Sequence, residues 1–438
     1  MASQKARTDV DAPWWKRAVT ALGPGLVTGA SDDDPSGIAT YAQAGAVYGY
    51  SSLWTALVSL PMMIVIQEMC DRTATATGDS LGALVRRRFQ RTGRIVVGIL
   101  LVLLMLANTV NVAADLMAVG QGMQLLGAGP AQLWSPIAGI GLAVLLVTGS
   151  YRLVARVFTG LCFALFAYVV VMFFAGVDWG QVVQGLGFLQ LRPDLAYWGL
   201  IAAVFGTSIS PYLFFWESGQ RIEELRESPE GGDDAPADPE IPPHQAQRRR
   251  EQQRIDVVVG MTLSVLVMFA VIVATGATIG RQGQEIHSAA EAAQALSPLA
   301  GPLAGLVFAL GFIGTGLLAV PVLASSACIG LSALLHKEWG FDRSPRKAPV
   351  FYSLLLLGTV AGTVLAVVFP DPIGLLVFSA MLNAVAAAPF LITVLIIAGS
   401  RRIMGPRRNR PLSAIVGWAT AVVMVCAGVA AIWSQLAG

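Results

Sequence analysis

Charged residues are scarce in this sequence. Asp, Glu, Lys and Arg make up 13% of its 438 residues, whereas apolar residues make up 55% and the mean hydropathy is +0.66. A typical water-soluble domain carries about 25% charged residues. The composition therefore argues against a soluble protein and predicts a chain embedded in a lipid bilayer. The formal net charge of +2 does not indicate a nucleic-acid partner.

Histidine and cysteine are also rare. The three histidines all fall in predicted loops, at His244, His287 and His336. The sequence therefore argues against an imidazole proton relay within the membrane. The four cysteines stand singly in or at the ends of apolar stretches, without CxxC spacing, at Cys70, Cys162, Cys328 and Cys426. We expect them to be small buried hydrophobic side chains.

Long apolar stretches fill most of the chain. A membrane-spanning helix needs about 20 mostly apolar residues. Eleven stretches meet this criterion, at 20–47, 52–71, 95–119, 132–150, 154–176, 196–220, 255–280, 300–335, 349–369, 372–399 and 412–436. We therefore expect an all-α polytopic membrane protein with one integral domain. The polar segment 221–254, rich in Glu, Asp, Pro and Arg, is expected to be a flexible loop.

Basic residues are distributed unevenly between the predicted loops. Lys and Arg in short loops favour the cytoplasmic side of a membrane. The loops that share one side with the N-terminal tail (1–19) are 72–94, 152–156, 221–254, 336–347 and 401–410. Only Arg192 and Arg281 of the 29 Lys and Arg residues then lie on the other side. We expect a multi-pass cell-membrane protein with a cytoplasmic N-terminus, an external C-terminus and no cleavable signal.

The first span contains an acidic interruption. Asp32, Asp33 and Asp34 precede Pro35 and Gly37 near mid-membrane depth. Carboxylates there cost several kcal/mol unless paired, hydrated or neutralised. Pro35 lacks an N–H and Gly37 tolerates unusual dihedrals, so the helix is expected to unwind and leave free carbonyls beside the carboxylates. Converging hard oxygens suit a cation, and the alternative is a proline kink with hydrated acids.

The sixth span contains a second interruption, at Ser208-Ile209-Ser210-Pro211. By the loop count, the first span enters from the cytoplasm and the sixth from outside, so both breaks lie at similar depth. Five helices separate the two starts, which is typical of an inverted five-helix repeat. We assign the first repeat to 20–176, the second to 196–399 and an extra helix to 412–436. Paired broken helices of this kind predict a substrate site.

The first two spans carry a series of short motifs. Gly-Pro-Gly at 23–25 is followed by Asp34-Pro35-Ser36-Gly37, by Ala-Gln-Ala-Gly-Ala at 42–46 and by Gly49-Tyr50. The stretch from Gly23 to Thr77 resembles the first two helices of the Nramp divalent-metal transporters, and the resemblance covers most of the chain in helix order. It implies a LeuT-type fold with an inverted 5+5 repeat and broken helices 1 and 6.

In that family, the Asp and Asn of a first-helix Asp-Pro-Gly-Asn motif bind metal, together with a methionine and a backbone carbonyl of the sixth helix. The resemblance implies metal ligands at Asp34, Gly37, Thr207 and Ser210, with Asp33 as a further candidate. Here Gly37 replaces the Asn and Ser210 replaces the Met. Without a soft thioether the site favours Mg²⁺, Ca²⁺ or Mn²⁺. Without the Asn it is roomier, which suits an Mg²⁺ ion that keeps several waters.

The same departures resemble the Nramp-related magnesium transporters, a branch described as carrying Mg²⁺ and Mn²⁺ without obligatory proton coupling. Four other residues are candidates for a coupling or pathway role. Asp115 resembles the third-helix aspartate of the family's proton route, or is a helix-end acid facing the outer vestibule. Glu217 is an intracellular exit ligand or an interfacial acid, and Tyr212 stands where the family carries a histidine. Asn383 reaches the site or makes an interhelical hydrogen bond.

The remaining acids of the first two spans have simpler interpretations. Three successive helical residues cannot all face one ion, because each is rotated by about 100° from the last. We rank Asp33 above Asp32 because it is closer to the break. Glu68 and Asp71 close the second span and are expected to be solvated or paired with Arg72.

We expect a secondary transporter that imports divalent metal cations, Mg²⁺ and Mn²⁺ foremost, by alternating access and without obligatory proton coupling. The alternatives are a proton-coupled Nramp-type Mn²⁺/Fe²⁺ symporter and a LeuT-fold carrier of a small organic solute. A solute carrier would present free helix N-termini, rather than an Asp cluster, to a substrate carboxylate. No nucleophile motif or histidine cluster indicates an enzyme. No cofactor is implied, because Mg²⁺ or Mn²⁺ is the transported substrate. The expected partners are this ion and the lipid bilayer, and no obligatory protein partner is evident.

Overall fold

The computed structural model describes residues 24–148, 169–170, 172–173, 176–278, 280, 303–369 and 371–437. Within these ranges the chain is helical and forms no strand. Most of the expected fifth span (154–176) lies outside them, as do Cys162, His287 and the N-terminal tail.

The described helices are numbered in chain order. They are α1 Pro24–Asp32, α2 Pro35–Tyr48, α3 Trp54–Thr77, α4 Leu81–Arg88, α5 Arg91–Leu125, α6 Ala131–Thr148, α7 Trp179–Leu186, α8 Leu195–Ser208, α9 Pro211–Glu227, α10 Pro243–Thr278, α11 Leu303–Leu334, α12 Pro349–Val368, α13 Pro372–Ala398, α14 Arg401–Met404 and α15 Pro411–Ala437. Short 3₁₀ turns lie at Gly49–Ser52, Asp238–Glu240 and Gly405–Arg407.

Eight helices in the described ranges are long and apolar enough to cross a membrane, or nine if one bent pair is counted as a single span. That pair is Pro35–Ser52 with Trp54–Thr77, which meet at 106°. We read it as parts of two successive spans, because α3 alone has 24 residues and α1 completes the first span before the break. The second break lies inside one span, Leu195–Glu227.

The expected loop at 221–254 is largely helical, so that prediction is wrong at both ends. α9 continues to Glu227 and α10 begins at Pro243, which places His244 in a helix. The charges that suggested a loop instead make ion pairs. Buried Asp238 contacts Arg250 at 3.2 Å, and the hydrogen bond from Arg343 lowers the pKa of Asp233.

Four of the predicted same-side loops meet at one end of the bundle, which we call the basic end. Arg72 at the end of α3 donates to the carbonyl oxygen of Arg407 and, at 2.8 Å, to Oδ1 of Asn409. Arg343, which follows α11, binds Asp233 in the connection between α9 and α10. Their shared location agrees with the loop count.

Small residues let the broken helices approach their neighbours closely. A Cβ on Gly29 of α1 would lie 2.2 Å from the carbonyl oxygen of Gly260 in α10. A Cβ on Gly206 of α8 would lie 2.1 Å from the carbonyl oxygen of Ala380 in α13. No larger residue fits either position without moving a helix, which is typical of packing between membrane helices.

The outer faces of the peripheral helices are apolar. Large hydrophobic side chains of α5, α12 and α15 are exposed, including Leu106, Leu357 and Leu412. These faces suit contact with lipid chains. Cys70 and Cys328 are buried as expected, but Cys426 lies on the outward face of α15 and is exposed.

Candidate metal site

The first break separates α1 from α2 at Asp33 and Asp34. Asp34 adopts an extended conformation and caps the N-terminus of α2. Its Oδ1 accepts hydrogen bonds from the Gly37 N–H at 2.7 Å and the Ser36 hydroxyl at 2.6 Å. Pro35 is the first residue of α2, where its missing N–H costs nothing. The first span is therefore interrupted at Asp33 and Asp34 as expected, and the same motif also caps and begins the next helix.

The second break separates α8 from α9 at Ile209 and Ser210. The Ser210 hydroxyl donates to the carbonyl oxygens of Gly206 at 2.8 Å and Thr207 at 2.7 Å. It thus satisfies carbonyls left open at the end of α8. Because the Ser210 hydroxyl donates in both contacts, the lone pairs of its oxygen remain available to a cation.

The two breaks meet in the interior of the bundle. The hydroxyl of Tyr212, in the first turn of α9, lies 3.3 Å from Oδ2 of Asp34 and 3.3 Å from the Ser31 carbonyl oxygen. A Cβ on Gly37 would lie 3.1 Å from Oγ1 of Thr207. The structure therefore brings together four of the predicted residues, Asp34, Gly37, Thr207 and Tyr212.

Asp32 and Asp33 turn towards α10. The hydroxyl of Ser264 lies 2.7 Å from Oδ2 of Asp32 and 3.4 Å from Oδ1 of Asp33. Within the described residues, no hydrogen bond joins either carboxylate to the second break. These contacts do not support ranking Asp33 above Asp32.

Asp115 lies in the middle of the bundle rather than at a helix end. α5 continues to Leu125, and the Asp115 side chain is fully buried. A Cβ on Gly316 would lie 3.0 Å from the Asp115 carbonyl oxygen and 3.4 Å from Cγ of Pro35. Asp115 is therefore next to the first break, close enough for its carboxylate to interact electrostatically with Asp34. The outer-vestibule alternative is wrong.

Asn383 pairs with another amide. Nδ2 of Asn111 in α5 donates to Oδ1 of Asn383 at 3.2 Å, and the reverse contact is 3.4 Å. This reciprocal pair joins α5 to α13. It agrees with the structural alternative for Asn383, the interhelical hydrogen bond.

Between the breaks and the basic end, polar residues of α3, α9 and α10 connect α1, the first half of the first span, to its neighbours. Arg221 contacts Asp71 at 2.6 and 2.8 Å and Asp256 at 3.3 Å. Oδ2 of Asp256 accepts from the Gly25 N–H at 2.8 Å. Glu217 accepts from the Thr28 hydroxyl of α1. We call these residues the α1 tether.

Sequence reasoning missed most of the tether. It placed Arg221 in a loop and expected Glu68 and Asp71 to be solvated or paired with Arg72. Arg72 does pair with Glu68, at 2.9 Å, but Asp71 pairs with Arg221. The spacing of Glu217 and Arg221, one helical turn apart in the second half of the broken span, was the available signal.

The oxygens around the first break suit a cation. Several buried acceptors have no hydrogen-bond partner among the described residues: Asp32 Oδ1, Asp33 Oδ2, both oxygens of Asp115 and the Thr207 hydroxyl. Clustered acceptors without donors are costly unless a proton, water or cation satisfies them. In the described part of the chain, no three His, Cys, Asp or Glu side chains are arranged to hold a metal. A metal at Asp34 would need carbonyl, hydroxyl or water ligands as well.

Comparison with known proteins decides the family. The family model "Natural resistance-associated macrophage protein-like", or Nramp, matches residues 25–434. The chain belongs to the Nramp family. Members of this family are transporters, so the chain is a membrane transporter and not an enzyme.

Relatives named "Divalent metal cation transporter MntH" align along nearly the whole chain. The Deinococcus radiodurans protein is 25% identical over 97% of this chain and 92% of its own length. The Aeromonas hydrophila protein is 25% identical over 92% of this chain and 93% of its own length.

Solved structures show the Nramp fold. A crystal structure of a histidine-to-alanine mutant of the Eremococcus coleocola manganese transporter superposes with a TM-score of 0.77 at 16% identity, over 98% of this chain and 89% of that one. Mhp1, a nucleobase-cation-symport-1 family transporter, matches with a TM-score of 0.55 at 16% identity, over 94% and 91%. The predicted fold class, an all-α LeuT-type bundle with two broken helices, is confirmed.

Proposed function

We propose that this Nramp-family protein transports divalent metal cations, with Mg²⁺ and Mn²⁺ as its main substrates. The observation that carries the proposal is the set of hard oxygens where the two broken helices meet, with glycine at 37 and serine at 210. Carboxylate, hydroxyl and carbonyl oxygens favour Mg²⁺ and Mn²⁺ over softer transition metals. The names of the relatives, which are metal cation transporters, support the same substrate class.

Asp34 is the proposed principal ligand. Oδ1 is engaged by the start of α2, so Oδ2, on the Tyr212 side, is the oxygen available to the ion. The Thr207 hydroxyl faces the gap left by Gly37 and supplies a further oxygen directly or through water. The Thr207 carbonyl, which accepts from the Ser210 hydroxyl, is a further proposed ligand through its second lone pair. Since Mg²⁺ usually retains several waters and binds one or two carboxylates, this sparse set suits it.

The proposed transport cycle opens the buried site to one side at a time. Asp34, Thr207 and Tyr212 are all 0% exposed, so the site is enclosed. We place the basic end in the cytoplasm, with the N-terminus inside and the C-terminus outside, because Lys and Arg favour that side. Release of the ion into the cytoplasm then requires the contacts of the α1 tether to break, so that α1 can move away from its neighbours.

A proton-coupled symporter is the second candidate, and one observation favours it. Asp115 is a buried acid beside Asp34, and neither of its oxygens has a hydrogen-bond partner in the described residues. A protonated carboxyl would be stable there. The first candidate is preferred because the two histidines in the described ranges, His244 and His336, are exposed and do not lie beside the breaks, and because a tyrosine such as Tyr212 has an ordinary pKa of about 10.

The substrate is tested by purifying the full chain, reconstituting it in liposomes, and measuring Mg²⁺, Mn²⁺ and Ca²⁺ uptake side by side. Saturable uptake of Mg²⁺ and Mn²⁺, with each ion competing against the other, is expected. A radiolabelled panel of amino acids and nucleobases provides the comparison for an organic-solute carrier. Solute uptake without uptake of any divalent ion would overturn the proposal.

A further inference from the structure

A cavity rich in arginine opens at the basic end, away from the metal site. Its volume is about 480 Å³, and it lies between α3, the first turns of α10 and the segment 406–413. Six arginines line it: Arg72, Arg250, Arg254, Arg407, Arg408 and Arg410. The acids in its lining are Glu68 and Glu251. Three separate parts of the chain thus bring like charges to one place.

Protein groups neutralise only half of these arginines. Arg72 pairs with Glu68 at 2.9 Å, while Arg250 and Arg407 both bind Asp238. The other three, Arg254, Arg408 and Arg410, make no ion pair within the described residues, and all three are exposed. The positive-inside tendency explains arginine on this side of a membrane. It does not explain why unpaired arginines from α10 and the 406–413 segment converge on one cavity.

The remaining wall of the cavity is apolar. Ile64 and Val65 of α3 line it one to two turns before Glu68 and Arg72, and both are partly exposed. The cavity therefore runs from guanidinium groups to the apolar side of a membrane helix. This combination suits an amphiphile with an anionic head and a hydrocarbon tail.

We propose that this cavity binds the phosphate group of an anionic phospholipid. Arginine offers paired N–H donors that match phosphate oxygens, and three unpaired guanidinium groups gain more from such an anion than from water. The acyl chain lies along Ile64 and Val65. Bound in this way, the lipid joins α3, α10 and the segment before α15. The site is independent of the ion that the protein transports.

The test measures the thermal unfolding midpoint of the full chain in a neutral detergent. Dioctanoyl phosphatidylglycerol is expected to raise the midpoint by about 3 °C or more, and dioctanoyl phosphatidylcholine to leave it unchanged. Inorganic phosphate and pyrophosphate are tested at matched ionic strength, to compare a water-soluble phosphate compound with the lipid as the ligand. If pyrophosphate raised the midpoint as much as the lipid does, the cavity would be a site for free phosphate compounds, and the proposal of a lipid ligand would be wrong.

The variant Arg254→Gln/Arg408→Gln/Arg410→Gln is expected to lose the shift. All three side chains are exposed and make no hydrogen bond to another described residue, so the variant should fold. The double variant Arg408→Gln/Arg410→Gln should lose most of the shift. The matched control is Arg86→Gln/Arg88→Gln, which removes charge from α4 outside the cavity. Loss of the shift in this control, or its retention in the triple variant, would overturn the proposal.

Discussion

Arg221 and Asp71 are 150 positions apart in sequence and meet through two hydrogen bonds of 2.6 and 2.8 Å. Both side chains are buried, and the same guanidinium contacts Asp256, which holds the Gly25 N–H at the start of α1. One arginine thus joins α3, α9 and α10 around the first half of the broken span. If the basic end opens during transport, this pair has to separate or move with α1.

The first prediction concerns this pair. Arg221→Gln leaves Asp71 as a buried carboxylate without its partner, a change that typically costs about 3–5 kcal/mol. We expect the basic end to open more often. Cys70, buried beside Asp71, reports the opening in a chain whose other cysteines are alanine. Its alkylation rate is expected to rise about tenfold or more.

Two controls separate opening from unfolding. Cys328, the other cysteine that is buried among the described residues, lies in α11 and should keep its alkylation rate as the sole cysteine in the Arg221→Gln chain. Adding Asp71→Asn removes the unpaired charge and should return the Cys70 rate part of the way to the starting value. Equal increases at Cys70 and Cys328 would show general destabilisation and would contradict a gating role.

The second prediction separates the two roles of Asp34. Asp34→Ala removes both the proposed ligand and the N-cap of α2, whereas Asp34→Asn keeps an N-cap residue. Both variants are expected to lose Mg²⁺ and Mn²⁺ uptake in liposomes. Only the alanine variant should also unfold more easily, by about 1 kcal/mol. Uptake at the wild-type rate by a folded Asp34→Ala protein would remove the site assignment.

Sequence patterns located the breaks because they depend on local chemistry. Pro35 and Pro211 each begin a helix, and an Asp or Ser immediately before them supplies the capping position. These signals lie within a few residues of one another. The helix pattern and the position of Asp34 were therefore predictable from sequence alone.

What the sequence did not reveal depends on contacts between distant segments. The charged stretch around Asp238 has the composition of a flexible loop, and only its arginine partners from α10 and Arg407 show otherwise. The direction of Asp32 and Asp33 depends on Ser264, more than 200 residues away. Hydropathy ends the third span at 119 and so places Asp115 close to a helix end, whereas α5 continues to Leu125.

The third prediction concerns ion selectivity. Ser210→Met with Gly37→Asn is expected to raise Cd²⁺ uptake relative to Mg²⁺, because a thioether is a soft ligand and the amide fills the space beside Thr207. A Cβ at Gly37 would lie 3.1 Å from the Thr207 hydroxyl and 3.2 Å from the Asp32 carbonyl oxygen, so the added side chain narrows the site. The measurement is the ratio of initial uptake rates in liposomes.

Gly37→Ala is the matched control for this prediction, since it adds bulk without an amide. The Ser210→Met change also removes two hydrogen bonds at the end of α8. The thermal stability of the Ser210→Met variant should therefore be measured together with its uptake. Gly37→Ala is expected to slow uptake of all ions without favouring Cd²⁺. A flat or falling Cd²⁺ to Mg²⁺ ratio in the double variant would show that ligand softness does not set selectivity here.

The fourth prediction concerns energy coupling. We expect Mg²⁺ and Mn²⁺ to enter proteoliposomes that contain a pH-sensitive dye without acidifying the lumen, and uptake to respond weakly to an imposed pH gradient. The physical reason is that, among the described residues, no group beside Asp34 has an ordinary pKa near neutrality. Tyr212 has an ordinary pKa of about 10, and a carboxyl such as Asp115 has one of about 4.

Asp115 is the residue that would carry the proton if transport were proton-coupled. It is buried beside the first break, and a carboxyl there can bind and release a proton if metal entry changes its surroundings. Asp115→Asn keeps the size of the side chain and removes its charge, so it should leave the metal-driven dye signal flat, as in the wild type. Lumenal acidification that tracks the metal dose in the wild type and disappears in Asp115→Asn would instead establish proton-coupled transport through this carboxyl.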